Sequence, residues 1–164
     1  MTTTTIAPHA RLIHHGTLDV PAPADTAYER AKAYLSHDRI ERGLFRKLEH
    51  ARDGRHYRLT INDRNDDHFD PNDDTIAWDP HSALRTTHGG RQSPALGLGH
   101  EVDHAVERPA IADRLRDRFD RRYDTAEERR VILGSEAHAA RTLGESTRHD
   151  HGGSTYRVAS PVLR

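Results

Sequence analysis

The sequence contains no cysteine, which excludes disulfide bonds and thiolate metal sites and fits a reducing compartment. Any metal ion must therefore be held by histidine, aspartate or glutamate. Neither sign of charge is in excess, since 25 Lys and Arg stand against 26 Asp and Glu. Proteins that bind nucleic acids usually carry a basic patch, so no nucleic-acid partner is expected. No apolar run approaches the ~20 residues that span a bilayer, so no membrane partner is expected either.

The N-terminal segment, M-T-T-T-T-I-A-P, has neither the basic nor the apolar part of a conventional signal peptide. We expect a protein that is cytoplasmic as synthesised, or an effector that a specialised machine secretes. Residues 1–10 are expected to form a flexible lead. Residues 11–164 are expected to form a single domain, because that length suffices for one hydrophobic core. A monomer is favoured, although composition does not fix the oligomeric state.

Hydrophobic periodicity predicts mixed helices and strands in the first part of the chain. Residues 11–20 are predicted to form a strand or short hairpin. Two helices should follow, one beginning at Asp25 as N-cap and one with apolar residues at every fourth position from Ile40 to Leu48. Apolar and polar residues then alternate over residues 55–62, which is typical of a half-buried strand.

The middle of the chain is predicted to hold one strand between irregular segments. Residues 63–74 are dense in Asp and Asn and are interpreted as a solvated turn, because the central glycine and final glutamate of an EF-hand loop are missing. Residues 75–80 form a short strand that ends at Pro80, and a proline there suits a sheet edge. Residues 81–92 are predicted to be a loop.

Two of the 14 histidines stand four residues apart in the segment S-P-A-L-G-L-G-H-E-V-D-H-A. Ser93 is a plausible N-cap and Pro94 suits the first turn of a helix, so His100 and His104 would lie on one helical face. The pattern His-Glu-x-x-His is typical of zinc sites in which two imidazoles hold the ion. Zinc lowers the pKa of a bound water, and Glu101 can then accept the proton of that water.

The pentapeptide by itself is weak evidence, because a chain this rich in histidine contains it by chance at an appreciable frequency. Its setting strengthens the case, since small and apolar residues surround the two histidines, whereas a solvated pair would more commonly stand among charges. The alternative interpretation is a pair of surface histidines on an amphipathic helix, with no metal.

A later helix is predicted to begin at Thr125 as N-cap, with Glu128 completing a capping-box pattern, and to end at Gly144 as C-cap. The strongly charged residues 110–123 before it are interpreted as a mostly solvated loop with some helix. The C-terminal residues 154–164 are expected to form one last strand or to lie extended.

A catalytic zinc site needs a third protein ligand and an open position. Glu128 is our first candidate, because its spacing from the apolar face of the later helix places the carboxylate inward, where it is costly unless paired or bound to metal. Glu127 could instead support a ligand or face solvent, and Glu136 and Asp124 are further candidates. The alternative is that the first-turn glutamates only favour the positive end of the helix.

The segment S-P-A-L-G-L-G-H-E-V-D-H-A, with I-A-W-D-P before it and E-E-R-R-V-I-L-G-S-E after it, resembles the NleD-type effector zinc metallopeptidases. The similarity covers roughly residues 75–161, including the closing L-G-E-S-T-R-H-D-H-G-G-S-T-Y-R-V-A-S-P, and residues 1–55 carry none. Related domains occur in bacterial toxins and phage-associated proteins. Asp103 departs from the family pattern, in which small or apolar residues are common, and either faces solvent or contacts a neighbouring histidine.

The resemblance implies an α+β, zincin-like metallopeptidase domain of the gluzincin kind. Its active-site helix would pack on a short mixed sheet with an antiparallel edge strand. That edge strand would be residues 75–79, where Ile76, Ala77 and Trp78 could pair with a peptide substrate by strand addition. Trp78 would either form the cleft wall or, as is more common for tryptophan, pack within the sheet.

The activity that the resemblance implies is zinc-dependent hydrolysis of peptide bonds in a protein substrate, by an effector or toxin. Zn²⁺ would be held by His100, His104 and Glu128, and Glu101 would act as general base.

The oxyanion of the reaction would be stabilised from the polar C-terminal segment, where His151 is preferred and Arg148 and Tyr156 are alternatives. Three other functions stay open at this point. The chain could be a non-catalytic binding module with a zincin fold, a phage-associated structural protein with incidental histidines, or a small-molecule hydrolase.

Overall fold

A computed structural model describes residues 11–107 and 119–164 of the chain. The strands are β1 (Leu12–His15), β2 (Leu18–Pro21), β3 (Tyr57–Ile61), β4 (His68–Asp70), β5 (Thr75–Trp78), β6 (Ser82–Arg85), β7 (Arg91–Gln92), β8 (Phe119–Asp120), β9 (Asp124–Thr125) and β10 (Ser154–Arg157). The α-helices are α1 (Asp25–Leu35), α2 (Arg39–Glu49), α3 (Pro94–Val106), α4 (Ala126–Val131) and α5 (Ala137–Leu143). A 3₁₀ turn (Ala22–Ala24) precedes α1, and a π-helical turn (Ile132–Glu136) joins α4 to α5.

The fold is α+β, with a five-stranded mixed sheet, a three-stranded antiparallel sheet and a two-stranded ribbon. The strand order of the mixed sheet is β1-β2-β3-β5-β4. Strands β2, β3 and β5 run parallel, while β1 and β4 are antiparallel to their neighbours at the two edges. The helices α1 and α2 lie between β2 and β3 in the chain, where a parallel connection requires a crossover.

The predicted N-terminal hairpin is confirmed as β1 and β2, joined at Gly16. This glycine has φ of 61°, and a Cβ atom there would lie 1.9 Å from the carbonyl oxygen of Glu49. The backbone N–H of Thr17 donates to the same carbonyl oxygen at 2.9 Å. The turn is therefore fastened to the end of α2, and only glycine fits at its tightest point.

The predicted strand at residues 75–79 is confirmed as β5, but the prediction that it forms a sheet edge is wrong. Ile76 pairs with β3 on one side and with β4 on the other, and its side chain is fully buried. Pro80 lies beyond the last paired residue, so its missing N–H does not restrict the pairing. Trp78 is also fully buried and donates from its indole nitrogen to the carbonyl oxygen of Pro94 at 2.9 Å. Its role is packing of the sheet against α3.

Residues 63–74, interpreted as a solvated turn, in fact contain the edge strand β4. The strand has three residues, and Phe69 is the apolar residue among them, so its hydrophobic pattern is too short to be recognised. Phe69 packs against the hydrophobic core, opposite Ile76 in the register.

The predicted loop at residues 81–92 is also wrong, because β6 and β7 form a hairpin there. Its turn is closed by the N–H of Thr86, which donates to the carbonyl oxygen of Gly90 at 2.9 Å, and by Gly89 with φ of 83°. The predicted last strand is confirmed as β10, which pairs antiparallel with β6. These strands form the three-stranded sheet in the order β10-β6-β7.

The central helix α3 begins as its sequence predicts. The Ser93 hydroxyl accepts from the N–H of Leu96 at 3.3 Å, and Pro94 is the first helical residue. The helix contacts α1, α2, β4 and β5, and most of its side chains are buried. The segment with the histidine pair is thus enclosed by the remainder of the fold.

The predicted flexible lead at residues 1–10 and residues 110–118 of the predicted charged loop lie outside the described residues. The end of that charged stretch forms the ribbon of β8 and β9 rather than a loop. Within the described part of the chain, no helix has the length and apolar character needed to cross a membrane.

The side chain of Glu41 on α2 is fully buried, and neither carboxylate oxygen has a hydrogen-bond partner among the described residues. It lies so close to Gly99 of α3 that a Cβ atom there would be 2.5 Å from Oε2. Burial and the nearby carboxylates of Asp103 and Asp38 raise the pKa of Glu41 to about 8. In the folded protein Glu41 is therefore mainly protonated near neutral pH, and its charged form becomes a cost to stability as the pH rises.

We expect Glu41→Gln to stabilise the protein at alkaline pH. Because the pKa is about 8 when folded and near 4.5 otherwise, the native state loses stability as pH rises between these values. Urea denaturation of the metal-free protein should show the variant gaining about 2–4 kcal/mol relative to wild type between pH 5 and 8.5. The exposed substitution Asp73→Asn is the control. Parallel pH profiles for wild type and Glu41→Gln would contradict the assignment.

Candidate metal centre

Three side chains from two helices converge at the surface of α3. His100 and His104 project from one face of α3, with their Nε2 atoms 3.0 Å apart. Glu128 on α4 places Oε2 3.0 Å from Nε2 of His100 and Oε1 3.2 Å from Nε2 of His104. One ligand atom from each residue lies within 4.8 Å of the others, so this group could hold a metal ion.

The start of α4 explains how Glu128 reaches this position. The Thr125 hydroxyl caps the helix by accepting from the N–H of Glu128 at 3.1 Å, as predicted. The Glu128 side chain, however, is turned toward the two histidines instead of back toward the cap. The predicted C-cap at Gly144 is confirmed, with φ of 68°. The capping pattern thus fixes the backbone of Glu128 while leaving its carboxylate free to face α3.

The π-helical turn decides where Glu136 points. In an uninterrupted α-helix, residues eight positions apart are offset by about 80° around the axis. The π-helical turn contains a kink at Gly134 (φ −94°, ψ −107°), which breaks that spacing and allows Glu128 and Glu136 both to face His100. Both carboxylates therefore reach His100 from one helix, Glu128 at Nε2 and Glu136 at Nδ1.

Glu136 contacts the other ring nitrogen of His100 and is not part of the group that could hold a metal ion. Its Oε2 lies 2.8 Å from Nδ1 of His100, and Arg148 donates to both carboxylate oxygens at 2.8 Å. The Gln92 side-chain amide adds a bond of 2.9 Å to Oε1. Burial alone would raise the pKa of Glu136, but His100 and Arg148 lower it to about 2. A charged carboxylate on Nδ1 leaves Nε2 of His100 directed at the metal position.

Glu127 has the corresponding relation to the second histidine. Its Oε1 lies 3.2 Å from Nδ1 of His104, and Arg130 binds the same carboxylate at 2.6 and 2.9 Å. The expectation from the sequence that Asp103 faces solvent or contacts a neighbouring histidine is wrong. Asp103 is buried, accepts from Arg130 at 2.6 Å and receives a hydrogen bond from Ser135. These bonds connect α3 to α4 and to the π-helical turn. An acidic residue among the apolar residues of this helix was the sequence signal for such a buried partner.

The surroundings of the two imidazoles favour positive charge. Burial disfavours the charged ring, but hydrogen bonds with Glu128 and Glu136 raise the pKa of His100 to about 10. In the same way, hydrogen bonds with Glu127 and Glu128 outweigh burial and raise the pKa of His104 to about 9. The two imidazoles in turn hold the pKa of Glu128 far below its ordinary range, against the effect of burial. Groups that stabilise protons at this point also stabilise a cation that replaces them.

Glu101 stands next to the metal position without being part of the ligand group. It is largely buried, and no hydrogen bond or ion pair to its carboxylate exists within residues 11–107 and 119–164. With His100 and His151 it lines a cleft of about 260 Å³. The carboxylate is thus available to a molecule in the cleft.

The three candidates for oxyanion stabilisation occupy different places. His151 reaches the site, with Nδ1 bonded to the Asp124 carboxylate and Nε2 3.4 Å from Oε2 of Glu128. Arg148 lines the cleft but is bound to Glu136. Tyr156 does not line it, because Thr155 faces the cleft and alternate residues of a strand point to opposite sides. Its hydroxyl is buried and lacks a hydrogen-bond partner in the described part of the chain.

Comparison with family models, with curated proteins and with solved structures yields no match to this chain. The function is therefore inferred from the geometry of the candidate metal centre and from the motif around it.

We expect Glu128→Ala to lower the affinity for a divalent transition-metal ion by at least about 100-fold, because it removes a direct ligand. Glu127→Ala removes only a support of His104 and should cost about 10-fold. Competition with a chromophoric chelator measures both constants. A larger loss for Glu127→Ala than for Glu128→Ala would reverse the assignment of the third ligand.

Proposed function

We propose that the protein is a zinc-dependent endopeptidase acting on a protein substrate. The observation that carries this proposal is the convergence of two imidazoles and one carboxylate beside Glu101, whose carboxylate faces a cleft without a partner in the described residues. The resemblance of the motif region to effector metallopeptidases agrees with this chemistry and favours a secreted effector or toxin.

The donor set suits zinc in number and in kind. Zinc binds imidazole and carboxylate ligands, and catalytic sites commonly use three protein ligands, which here would be His100, His104 and Glu128. Each histidine is also supported at Nδ1, by Glu136 and Glu127 respectively, as is typical of zinc-binding histidines. When bound, zinc supplies Lewis-acid activation of water and of the scissile carbonyl group.

Glu101 would serve as the proton carrier of the reaction. A carboxylate oxygen of Glu101 would accept a proton from the attacking water while the water oxygen forms the new bond to the carbonyl carbon. The same carboxyl group then donates that proton to the leaving amine nitrogen as the peptide bond breaks. Its position on α3 directly after His100 holds it beside the reacting atoms, and the lack of a hydrogen-bond partner in the described residues leaves both oxygens available.

His151 would stabilise the negative charge that develops on the substrate oxygen. Asp124 holds the ring through Nδ1, so Nε2 is directed toward the site near Glu128. Asp124 has φ of 67°, an uncommon conformation for a residue other than glycine, directly before the cap of α4. One short segment would thereby position both the ring of His151 and Glu128, the proposed third ligand.

The substrate chain would pair with β4, since β5 is covered on both sides. Among the described strands, β4 is the outermost on this side of the mixed sheet, and its outer backbone groups face away from β5. An extended peptide can add to such an edge through main-chain hydrogen bonds. Residues Asn65 and Asp67, just before β4, line the cleft and connect this edge to the metal centre.

We expect Glu101→Gln to retain zinc within about threefold while lowering kcat/KM by at least about 10³-fold, because the amide cannot accept a proton. Cleavage of a quenched fluorescent peptide library and zinc content after dialysis measure the two properties. Glu107→Gln, at the exposed end of the same helix, is the matched control. A fully active Glu101→Gln enzyme would refute the mechanism, and a wild type that holds zinc but cleaves no peptide would indicate a binding module.

We expect His151→Ala to lower kcat by about 10²–10³-fold with little change in KM, because the ring acts on charge that develops in the transition state. The neighbouring exposed His149→Ala is the control and should leave kcat unchanged. Steady-state kinetics on one cleaved peptide separates the two constants. An equal effect of both substitutions would show that His151 has no direct part in the reaction.

A further inference from the structure

Asp67 is an acidic side chain in the cleft that the proposed mechanism does not use. It lies directly before β4 and lines the cleft together with Glu101. Its Oδ1 accepts from the backbone N–H of Asp79 at 2.6 Å, and the Asn62 side chain also bonds to it. Within the described residues, no lysine, arginine or histidine forms an ion pair with it.

The sequence makes room for this carboxylate on the surface of α3. A Cβ atom at Gly97 would lie 3.1 Å from Oδ2 of Asp67, which is tighter than ordinary contact. Glycine at this position therefore lets the carboxylate rest against the helix, one turn before His100. Asp67 and the metal position are thus neighbours along one face of the cleft.

The charges around Asp67 do not balance it. Burial, with the nearby carboxylate of Glu101, raises the pKa of Asp67 to about 7, although hydrogen bonds oppose the shift. Asp79 is already paired with Arg157 at 2.6 Å. Arg148 also lines the cleft, but its guanidinium group donates to both carboxylate oxygens of Glu136. A cationic group bound beside Asp67 would therefore favour its charged form and offset its repulsion with Glu101.

Other residues of the cleft lining are uncharged. Leu84 of β6 and Thr155 of β10 line the cleft and bring no charge. A side chain with an aliphatic stem and a cationic end matches such a cleft, because the stem can contact Leu84 while the end meets a carboxylate. Lysine and arginine are the amino acids with that shape.

We propose that Asp67 is a specificity-determining residue that selects a lysine or arginine side chain of the substrate close to the scissile bond. This inference rests on the proposed peptidase function. A peptide that pairs with β4 would run past Asp67, which directly precedes that strand. The cationic end of the side chain would then form a charge-assisted hydrogen bond with the carboxylate in a partly enclosed site.

Binding without turnover tests the inference separately from catalysis. The zinc-loaded Glu101→Gln protein would be titrated with short fluorescein-labelled alanine–serine peptides in which one position carries either lysine or the neutral isostere norleucine. The lysine is moved through the peptide, and fluorescence anisotropy gives each Kd. The same titrations are made with Asp67→Asn and with Asp66→Asn added to Glu101→Gln. Asp66 is the matched control because its side chain is 71% exposed.

At one peptide position, lysine should bind at least about tenfold more tightly than norleucine. Asp67→Asn should abolish this difference while keeping the Kd of the norleucine peptide within about threefold, and Asp66→Asn should retain it. Equal binding of lysine and norleucine peptides at every position would overturn the inference, as would an undiminished preference in Asp67→Asn. Wild-type protein that prefers lysine peptides yet cleaves none of them would contradict the proposed peptidase function but not the role of Asp67 in binding lysine.

Discussion

The buried ion pair between Glu136 and Arg148 is the interaction on which the candidate metal centre depends. It keeps a carboxylate charged against Nδ1 of His100 in a position that solvent does not reach. A buried carboxylate is tolerated there only because Arg148, Gln92 and the imidazole satisfy it together. The pair also links the later helix to the segment before β10, so three separate parts of the chain meet behind one histidine ring. The direction of Nε2 follows from that convergence.

Paired charges also hold His104 in place. Asp103, Arg130 and Glu127 form a second charged network between α3 and α4, and this network reaches His104. Both histidines are thus held from behind by carboxylates whose own charge an arginine balances. Glu41 and Glu101 are exceptions in the described residues, since Glu41 is buried against the same helix with no partner and Glu101 faces the cleft unpaired. A polar site buried this deeply requires nearly every group to be paired, because an unpaired one is costly.

The arrangement of strands places the cleft next to an open sheet edge. Strand β5 supplies the packing surface for α3 through Trp78, while β4 lies outside it and leads from the cleft. The inner strand therefore stabilises the helix that bears the histidines, and the outer one is available to an extended chain. If the proposed peptide binding occurs, placing these two roles on adjacent strands would bring the peptide close to the candidate metal site without disturbing the core.

The sequence by itself determined the features that depend on neighbours along the chain. Helix starts at Ser93 and Thr125, the shared face of His100 and His104, and the inward position of Glu128 all follow from caps and helical spacing. The tertiary structure alone decided the rest. Which strand lies at the edge depends on pairing between distant segments. The contact of Glu136 with His100 depends on a π-helical turn that no local sequence pattern predicts. Buried pairs such as Glu136 with Arg148 form only when packing removes water from both side chains.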